Sequence, residues 1–475
     1  MFVRRVSFEN ALGLAALAVL LGVALWLRLR GLGDGSLWLD EAVSWMQSKD
    51  GLVDLVRRTA ADNYPPLHNF LLFVSMHALG DSEWSLRLPS VILGVANIGV
   101  IYWLATFTVG RMPGLLAALL LALSPFHFDY SQEARGYALL AFAATLYAAV
   151  GFWFARHPSP VRALGVAGAG LALAYSHTFG VVNWIALAMG LTLVVASAHG
   201  DRRQMRLWVG ANAIVAIGFA PWAAILLLRA ATIALHGFWI PYPTPPVILE
   251  TFTDMAGGPA WALLVAPGLL LALPSLRERT LRVLWIWMLL PVLAALLVSL
   301  VSTPIFMHRY LIGAVPPALL LAALGYATVL RSWRVATTGL VAAAALALAW
   351  TSADRYTVER VDWRSAAGEA TSLAGPDGCL IVTPSWVAWP LRYYGVPSCF
   401  IPAAGVKELP TEIPAHRLVF LTDVLDDNKE PGEVLAALEA RGWLPKGRSR
   451  YGHINLFQLE SGSQHAGLTN TGSTR

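Results

Sequence analysis

Charged residues are scarce in this chain. Only 13% of its 475 residues are Asp, Glu, Lys or Arg, against 57% hydrophobic, and the mean hydropathy is +0.59. Soluble domains carry about 25% charged residues, so the deficit excludes a single water-soluble globule and makes lipid the main solvent. Lysine is nearly missing, with four Lys against 30 Arg. The formal net charge of +5 therefore argues for no nucleic-acid partner; Arg placed at membrane boundaries accounts for it. Cysteine is limited to Cys379 and Cys399, without a CxxC or a Cys/His metal spacing. A disulfide and two separate buried thiols both stay open for that pair. No Walker A sequence, GxSxG elbow or HExxH is present.

What the chain does have is apolar runs of spanning length. They lie near 9–29, 88–109, 113–128, 136–155, 161–176, 180–198, 207–228, 260–276, 282–301, 310–330 and 335–351. Several fall slightly short of the roughly 20 residues an ideal span needs. Arg4 and Arg5 precede the apolar core of the first run, Ala11 to about Leu27, and Arg28, Leu29 and Arg30 follow that core where a signal peptide would show a small-residue cleavage pattern. The run reads as a retained span. With the N-terminus in the cytoplasm, every cytoplasmic connection carries Arg: Arg4 and Arg5, Arg111, Arg156 and Arg162, Arg202 to Arg206, Arg277 to Arg282, and Arg331 with Arg334. The other side collects most acids of the membrane part, from Asp34 and Asp40 to Glu250 and Asp254, as the positive-inside bias requires. An odd number of spans then puts the C-terminal domain outside, at the plasma (inner) membrane. Counting Leu67 to Leu79 as a span would move Arg111 to the outside, so that run reads as an interfacial helix, as does Gly51 to Ala61.

The expected fold is mainly α: a polytopic bundle of about eleven spans over 1–351, with interfacial helices in a first external loop, 30–87. A small α/β domain follows over 352–460, with strands at CLIVTPS, HRLVFLTD and HINLFQLE and a helix at PGEVLAALEARGW. The Gly/Ser/Thr-rich tail, 461–475, reads as disordered.

Six ionisable clusters fall on the external side. Asp40 and Glu41 follow the first span; Asp40 as the N-cap of a short helix is the bland alternative. In NYPPLHNFL, Tyr64 and His68 flank two prolines, and interfacial anchoring is the plain account. Glu83 and Arg87 have the spacing of a helical surface pair, yet Arg87 also stands at the mouth of the second span, where it would hold an anion. Asp129, Glu133 and Arg135 punctuate an apolar hairpin, where charge is expensive and tends to be functional. His177, alone at an external turn, reads as structural. His308 and Arg309 open the tenth span; snorkelling competes with phosphate recognition there.

In this order the motifs resemble the C-type (GT-C) glycosyltransferases that use polyprenyl-phosphate sugars. The likeness is to the protein O-mannosyltransferase and aminoarabinose-transferase superfamily, glycosyltransferase family 39. It rests on Asp40-Glu41, Pro65-Pro66-Leu67, Glu83 with Arg87-Leu88-Pro89-Ser90, Gln132-Glu133-Ala134-Arg135, and Arg309-Tyr310 with Pro316-Pro317, across residues 1–330. Aminoarabinose transferases carry a Glu-Lys pair before the two prolines, where this chain has Asn63-Tyr64. The resemblance implies a polyprenyl-phosphate-linked monosaccharide donor and an extracytoplasmic site in the cell envelope. By the same resemblance the acceptor would be a hydroxyl of a lipid, glycan or protein, and Asp40 would carry over as the catalytic carboxylate. Glu41 would orient Asp40 or share a metal with it. Arg87, Arg135, His308 and Arg309 would hold phosphate, with Glu133, Tyr64 and His68 lining the substrate. No particular cofactor is implied; a divalent metal at Asp40, Glu41 and Glu133 stays an option. Tail binding would use membrane-facing helices within 50–80, and the aromatic- and proline-rich stretch 230–259 would serve as a cover. The rival class is a lipid or solute transporter, but the charges lie at one boundary rather than at the midplane on repeated halves.

Overall fold

A computed structural model describes residues 2–62, 64–198, 202–236, 239–329, 334–351, 361–415, 417–423 and 430–461. Asn63, Arg331, the junction 352–360 and the tail beyond Ser461 lie outside these residues. Internal contacts divide the chain into two units: Met1–Leu32 with Gln47–Val358, and Gly33–Met46 with Glu359–Arg475.

The first unit is helical. It opens with α1 (Phe2–Leu29); α2 (Leu39–Ser48) contains the boundary between the two units. Two short helices follow, α3 (Leu52–Ala60) and α4 (Leu67–Leu79), at the places read as interfacial. The bundle continues with α5 (Glu83–Phe107), α6 (Arg111–Leu123), α7 (Pro125–Ser131), α8 (Tyr137–Arg156), α9 (Pro160–Ala174) and α10 (Thr178–Ala198). It ends with α11 (Arg202–His236), α12 (Pro245–Ala256), α13 (Pro259–Ala272), α14 (Arg279–Val301), α15 (Val315–Val329), entered through a 3-10 turn at His308–Ala314, and α16 (Arg334–Thr351).

All eleven apolar runs are helical, but the expected eleven spans are not all of spanning length. Among the described residues eight helices are long and apolar enough to cross a membrane, or nine if α6 and α7 form one bent span. The runs that fall short are α9 and the apolar part of α16, Gly339–Trp350. The α6–α7 pair bends by 61°. Its cause is Pro125, which offers no N–H to the carbonyl four residues back and so breaks the ladder. The break is satisfied from α1: buried Arg28 donates to the Ala122 carbonyl at 3.2 Å and meets His127 Nδ1 at 3.2 Å. His127 in turn lies in hydrogen-bonding range of the Leu121 carbonyl, the one Pro125 leaves without its helical donor.

Two spans are central. The windows of Tyr137–Arg156 and His308–Thr328 are 83% buried, against 17% for α1 and 22% for α13. Leu12, Val19, Ile217, Leu263 and Leu297 stand exposed on outer helices, as lipid contact requires. Lipid tails are as apolar as leucine, so packing and close approach hold such helices together. At Gly325 a Cβ would fall 1.9 Å from the Gly268 carbonyl oxygen, so α13 and α15 meet only because both positions lack side chains.

The second unit is a mixed sheet between helices. Its strands are β1 (Cys379–Thr383), β2 (Cys399–Pro402), β3 (Arg417–Asp423), β4 (Trp443–Tyr451) and β5 (Ile454–Ser461), in the order β2-β1-β3-β5-β4. β1 is parallel to β2 and β3, whereas β5 runs antiparallel to β3 and β4. Alternation decides the two faces. Leu380, Val382, Val419 and Leu421 pack on α17 (Trp363–Ala374) and α18 (Ala388–Tyr394). Ile381, Leu418 and Phe420 pack on α19 (Glu430–Ala440) through Val434 and Leu438. Each such fully buried aliphatic or aromatic side chain contributes roughly 1.5–3 kcal/mol. Cys379 and Cys399, paired in register across β1 and β2, form a disulfide.

Candidate active site

In the first unit, segments far apart in sequence meet at the starts of the two central spans. Pro65 and Pro66 lead into α4, whose first N–H, on Leu67, donates to the Tyr175 carbonyl between α9 and α10 at 3.3 Å. Gly136, just before α8, allows the closest approach: a Cβ there would lie 2.9 Å from the Ser176 oxygen and 3.6 Å from the His68 Cβ. The loop carrying Glu133 and Arg135 is thereby pressed against both α4 and the 175–177 turn.

The centre of this cluster is aromatic and cationic. The Tyr64 and Tyr310 hydroxyls share a hydrogen bond of 3.0 Å. The Arg135 guanidinium lies over the Tyr64 ring, 4.6 Å from its centroid. The Arg309 guanidinium lies 5.8 Å from the Tyr310 ring and 5.0 Å from that of Trp239. The His177 ring sits 5.1 Å from Tyr64, 5.3 Å from Tyr310 and 5.6 Å from Tyr137. Both guanidinium groups act electrostatically on His177. Stacking on aromatic faces holds each guanidinium plane in place.

The histidines of this centre are neutral. Burial, then Arg135, Arg309 and His68, lower the pKa of His177 to about 3. His68 falls to about 4, through burial, partly offset by the Ala134 carbonyl, and then Arg135. His177 Nδ1 accepts the Phe179 N–H at 3.1 Å, which leaves Nε2 to carry the proton. That Nε2 is buried and meets no acceptor among the described residues.

Of the residues singled out in sequence, Tyr64, His68, Arg135 and Arg309 converge here. Glu133 and Arg309 both lie in electrostatic range of Tyr130. His308 faces Asp254 of α12, Nδ1 to Oδ2 3.6 Å, and packs edge-on to Phe126. Arg87 is elsewhere in its contacts. It is 1% exposed and donates to the Leu32 carbonyl at 2.8 Å, which ties α5 to the stretch that follows α1. The segment with Asp40 and Glu41 belongs to the second unit. There the helix starts at Leu39, not Glu41, and it is the Glu41 carboxylate that reaches back to the Trp38 N–H at 3.4 Å. Among the described residues no three or more His, Cys, Asp or Glu side chains are grouped to hold a metal ion.

Three members of the cluster escape sequence reasoning. Tyr310 is visible in the sequence only as the second letter of an Arg-Tyr pair, and Tyr137 lies two residues beyond the Glu133–Arg135 motif without belonging to it. His177 reads as an isolated turn residue in sequence; beyond the Phe179 N–H, its ring partners Tyr64, Tyr137 and Tyr310 come from distant segments.

Beside the cluster, α3, α4 and Tyr175 enclose an open groove of about 310 Å³ lined by Leu52, Leu55, Val56, Pro66, Leu67, Phe70 and Tyr175. Its lining is apolar throughout.

Residues 63–225, roughly a third of the chain, match the family model for dolichyl-phosphate-mannose-protein mannosyltransferases. No curated relative matches its sequence. Solved structures are similar over nearly the whole chain. ArnT from Cupriavidus metallidurans in the apo state is 16% identical, covers 94% of this chain and 98% of its own, and has a TM-score of 0.63. The same protein bound to undecaprenyl phosphate gives 16% identity, 93% and 97% coverage, and 0.62. Arabinofuranosyltransferase AftD from Mycobacteria gives 16%, 94% and 40%, and 0.56. The oligosaccharyltransferase AglB from Archaeoglobus fulgidus, in complex with an inhibitory peptide and a dolichol-phosphate, gives 11%, 94% and 74%, and 0.57. The chain has the GT-C fold of membrane glycosyltransferases, as its motif order implies, and is a multi-pass membrane protein.

Proposed function

We propose that this glycosyltransferase-fold chain moves a monosaccharide from a polyprenyl-phosphate carrier to an acceptor hydroxyl, on the extracytoplasmic face of the inner membrane, with Asp40 as the base. The observation that carries the reading is the pair of guanidinium groups, Arg135 and Arg309, each stacked on an aromatic ring around the Tyr64–Tyr310 hydrogen bond. Two fixed cations at a membrane-embedded site suit one phosphate. Arginine binds it with two parallel N–H donors, and burial raises the worth of each contact. The His177 Nε2–H adds a neutral donor to the same site. The ArnT structure with bound undecaprenyl phosphate supports the choice of carrier. The apolar groove beside Tyr175 suits the first prenyl units of its tail.

The chemistry follows from the leaving group. The acceptor oxygen attacks the anomeric carbon from the side opposite the phosphate and loses its proton to the Asp40 carboxylate. The bond from that carbon to the phosphate oxygen breaks, and the electron pair leaves with the phosphate monoester. Phosphate is a stable anion and needs no general acid, unlike the alkoxide of glycoside hydrolysis. Arg135 and Arg309 stabilise the charge that grows on it. The anomeric centre inverts. A base of this kind contributes roughly 10²–10⁴-fold.

The test is Asp40→Asn in purified full-length protein. Transfer is expected to fall by about a hundredfold or more while donor affinity, read by tryptophan fluorescence, stays unchanged. Undiminished transfer removes Asp40 from the reaction.

A further inference from the structure

The second unit contains more than the C-terminal residues. Gly33–Met46, the segment with Asp40 and Glu41, clusters with Glu359–Arg475 rather than with the helices that flank it in sequence. Residues 36–38 have no regular secondary structure, so the hydrogen bonds of this stretch must come from elsewhere.

They come from two places in the α/β domain. The Arg364 guanidinium donates to the Gly33 carbonyl at 3.2 Å and the Asp34 carbonyl at 3.4 Å. The Arg364 backbone N–H donates to Ser36 Oγ at 3.1 Å, and Ser36 Oγ reaches Asp362 Oδ1 at 3.4 Å. Asp362 is also the N-cap of α17, accepting the Ser365 N–H at 3.0 Å, so one carboxylate secures both the helix and the segment. From the other place, the Tyr394 hydroxyl accepts the Leu37 N–H at 2.6 Å, and Tyr393 meets Trp45 edge to face at 5.0 Å. Both tyrosines end α18, inside the loop that the Cys379–Cys399 disulfide closes. Asp40 stands three residues past Leu37, in the first turn of α2, so the backbone that aims its carboxylate is gripped just before the helix begins.

We infer that the α/β domain is a positioning device for the acidic pair: Arg364 and Tyr394 hold the acid-bearing segment in the one conformation that turnover requires. Neither touches donor or acceptor; both act through the backbone of residues 33–37. The inference rests on the reading of Asp40 as base. Its consequence is that the soluble domain sets the rate of transfer without contributing to donor affinity.

The experiment uses full-length protein in nanodiscs, with Arg364→Ala, Arg364→Lys and Tyr394→Phe. Arg364 is exposed, and Tyr394→Phe removes one hydroxyl, so folding is not at stake. Amide hydrogen exchange over 33–46 is expected to quicken about tenfold in Arg364→Ala, with β1 and β3 unchanged. In the same variant kcat falls about tenfold at unchanged donor KM. Tyr394→Phe shows a smaller effect in the same direction, and Arg364→Lys recovers part of the loss. Unchanged exchange over 33–46 overturns the clamp, and so does faster exchange with kcat within twofold of the parent. Exchange is read without turnover, so these outcomes are separate from an active Asp40→Asn, which would sink only the base assignment.

Discussion

Arg135→Ala tests the phosphate site where its geometry is best defined. The guanidinium lies 4.6 Å from the centroid of Tyr64, whose hydroxyl is bonded to that of Tyr310 at 3.0 Å. If Arg135 binds the leaving phosphate, its removal deletes charge-assisted hydrogen bonds, worth about 1.5–3 kcal/mol. That corresponds to roughly a 10- to 150-fold loss in kcat/KM. Tyr64→Phe keeps a ring beneath the cation and loses only a neutral hydrogen bond, about 0.5–1.5 kcal/mol, or roughly 2- to 12-fold. Arg135→Lys keeps the charge but not the planar fork and should fall between the two. The assay is initial-rate transfer from a polyprenyl-phosphate sugar at varied donor concentration, in detergent or nanodiscs. The expected order of damage is Arg135→Ala, then Arg135→Lys, then Tyr64→Phe. Arg135→Ala within twofold of the parent, or less harmful than Tyr64→Phe, would refute the reasoning.

Three further outcomes follow from the structure. His68 and His177 have depressed pKa values in the folded protein, so below pH 6.5 the unfolded chain takes up protons that the folded one refuses. Thermal midpoints should therefore be flat above about pH 6.5 and fall as pH drops towards 4 and then 3, with a shallower fall in His177→Gln; a flat curve would contradict the burial of these rings. Gly136→Ala places a Cβ 2.9 Å from the Ser176 oxygen, which should cost about 1–3 kcal/mol in unfolding experiments and reduce transfer by shifting Arg135; an unchanged midpoint would mean that the loop gives way freely. Replacing Cys379 and Cys399 by Ser opens a loop of sequence separation 20 and should lower the stability of the α/β domain by about 3 kcal/mol, read as earlier proteolysis within 361–461; proteolysis at the parent rate would argue against it.

Much of the bundle is written in the sequence because bilayer thickness demands long apolar runs, and every such run became a helix. The count of spanning helices was not, because Pro125 breaks one run and the helix from Pro160 ends at Ala174; apolar character alone does not reveal where a ladder stops. In the α/β domain, β1, β3 and β5 announce themselves as buried apolar strands. β4 does not: Lys446, Gly447, Arg448 and Arg450 make an exposed edge without alternation, and β2 is only four residues long. At the site, charge in an apolar setting found Arg135 and Arg309, and the proline pair found Tyr64 and His68. Arg87 carries the same signal, and its guanidinium donates to the Leu32 carbonyl. His177 carried none, because its importance comes from rings supplied by distant segments. The grouping of Asp40 with residues beyond 359 was equally hidden, since Arg364 and Tyr394 act on backbone atoms, which leave no mark on residue type.

The central claim is that the sugar leaves its carrier here. Purified protein in sealed liposomes, given polyprenyl-phosphate sugars labelled in the sugar, measures this directly by mass spectrometry of the lipid fraction. Free polyprenyl phosphate, accumulating in step with label on an acceptor and suppressed in Arg309→Ala, is the predicted result. Intact donor recovered from the opposite leaflet, with no carrier set free, would contradict the account and make the protein a transporter.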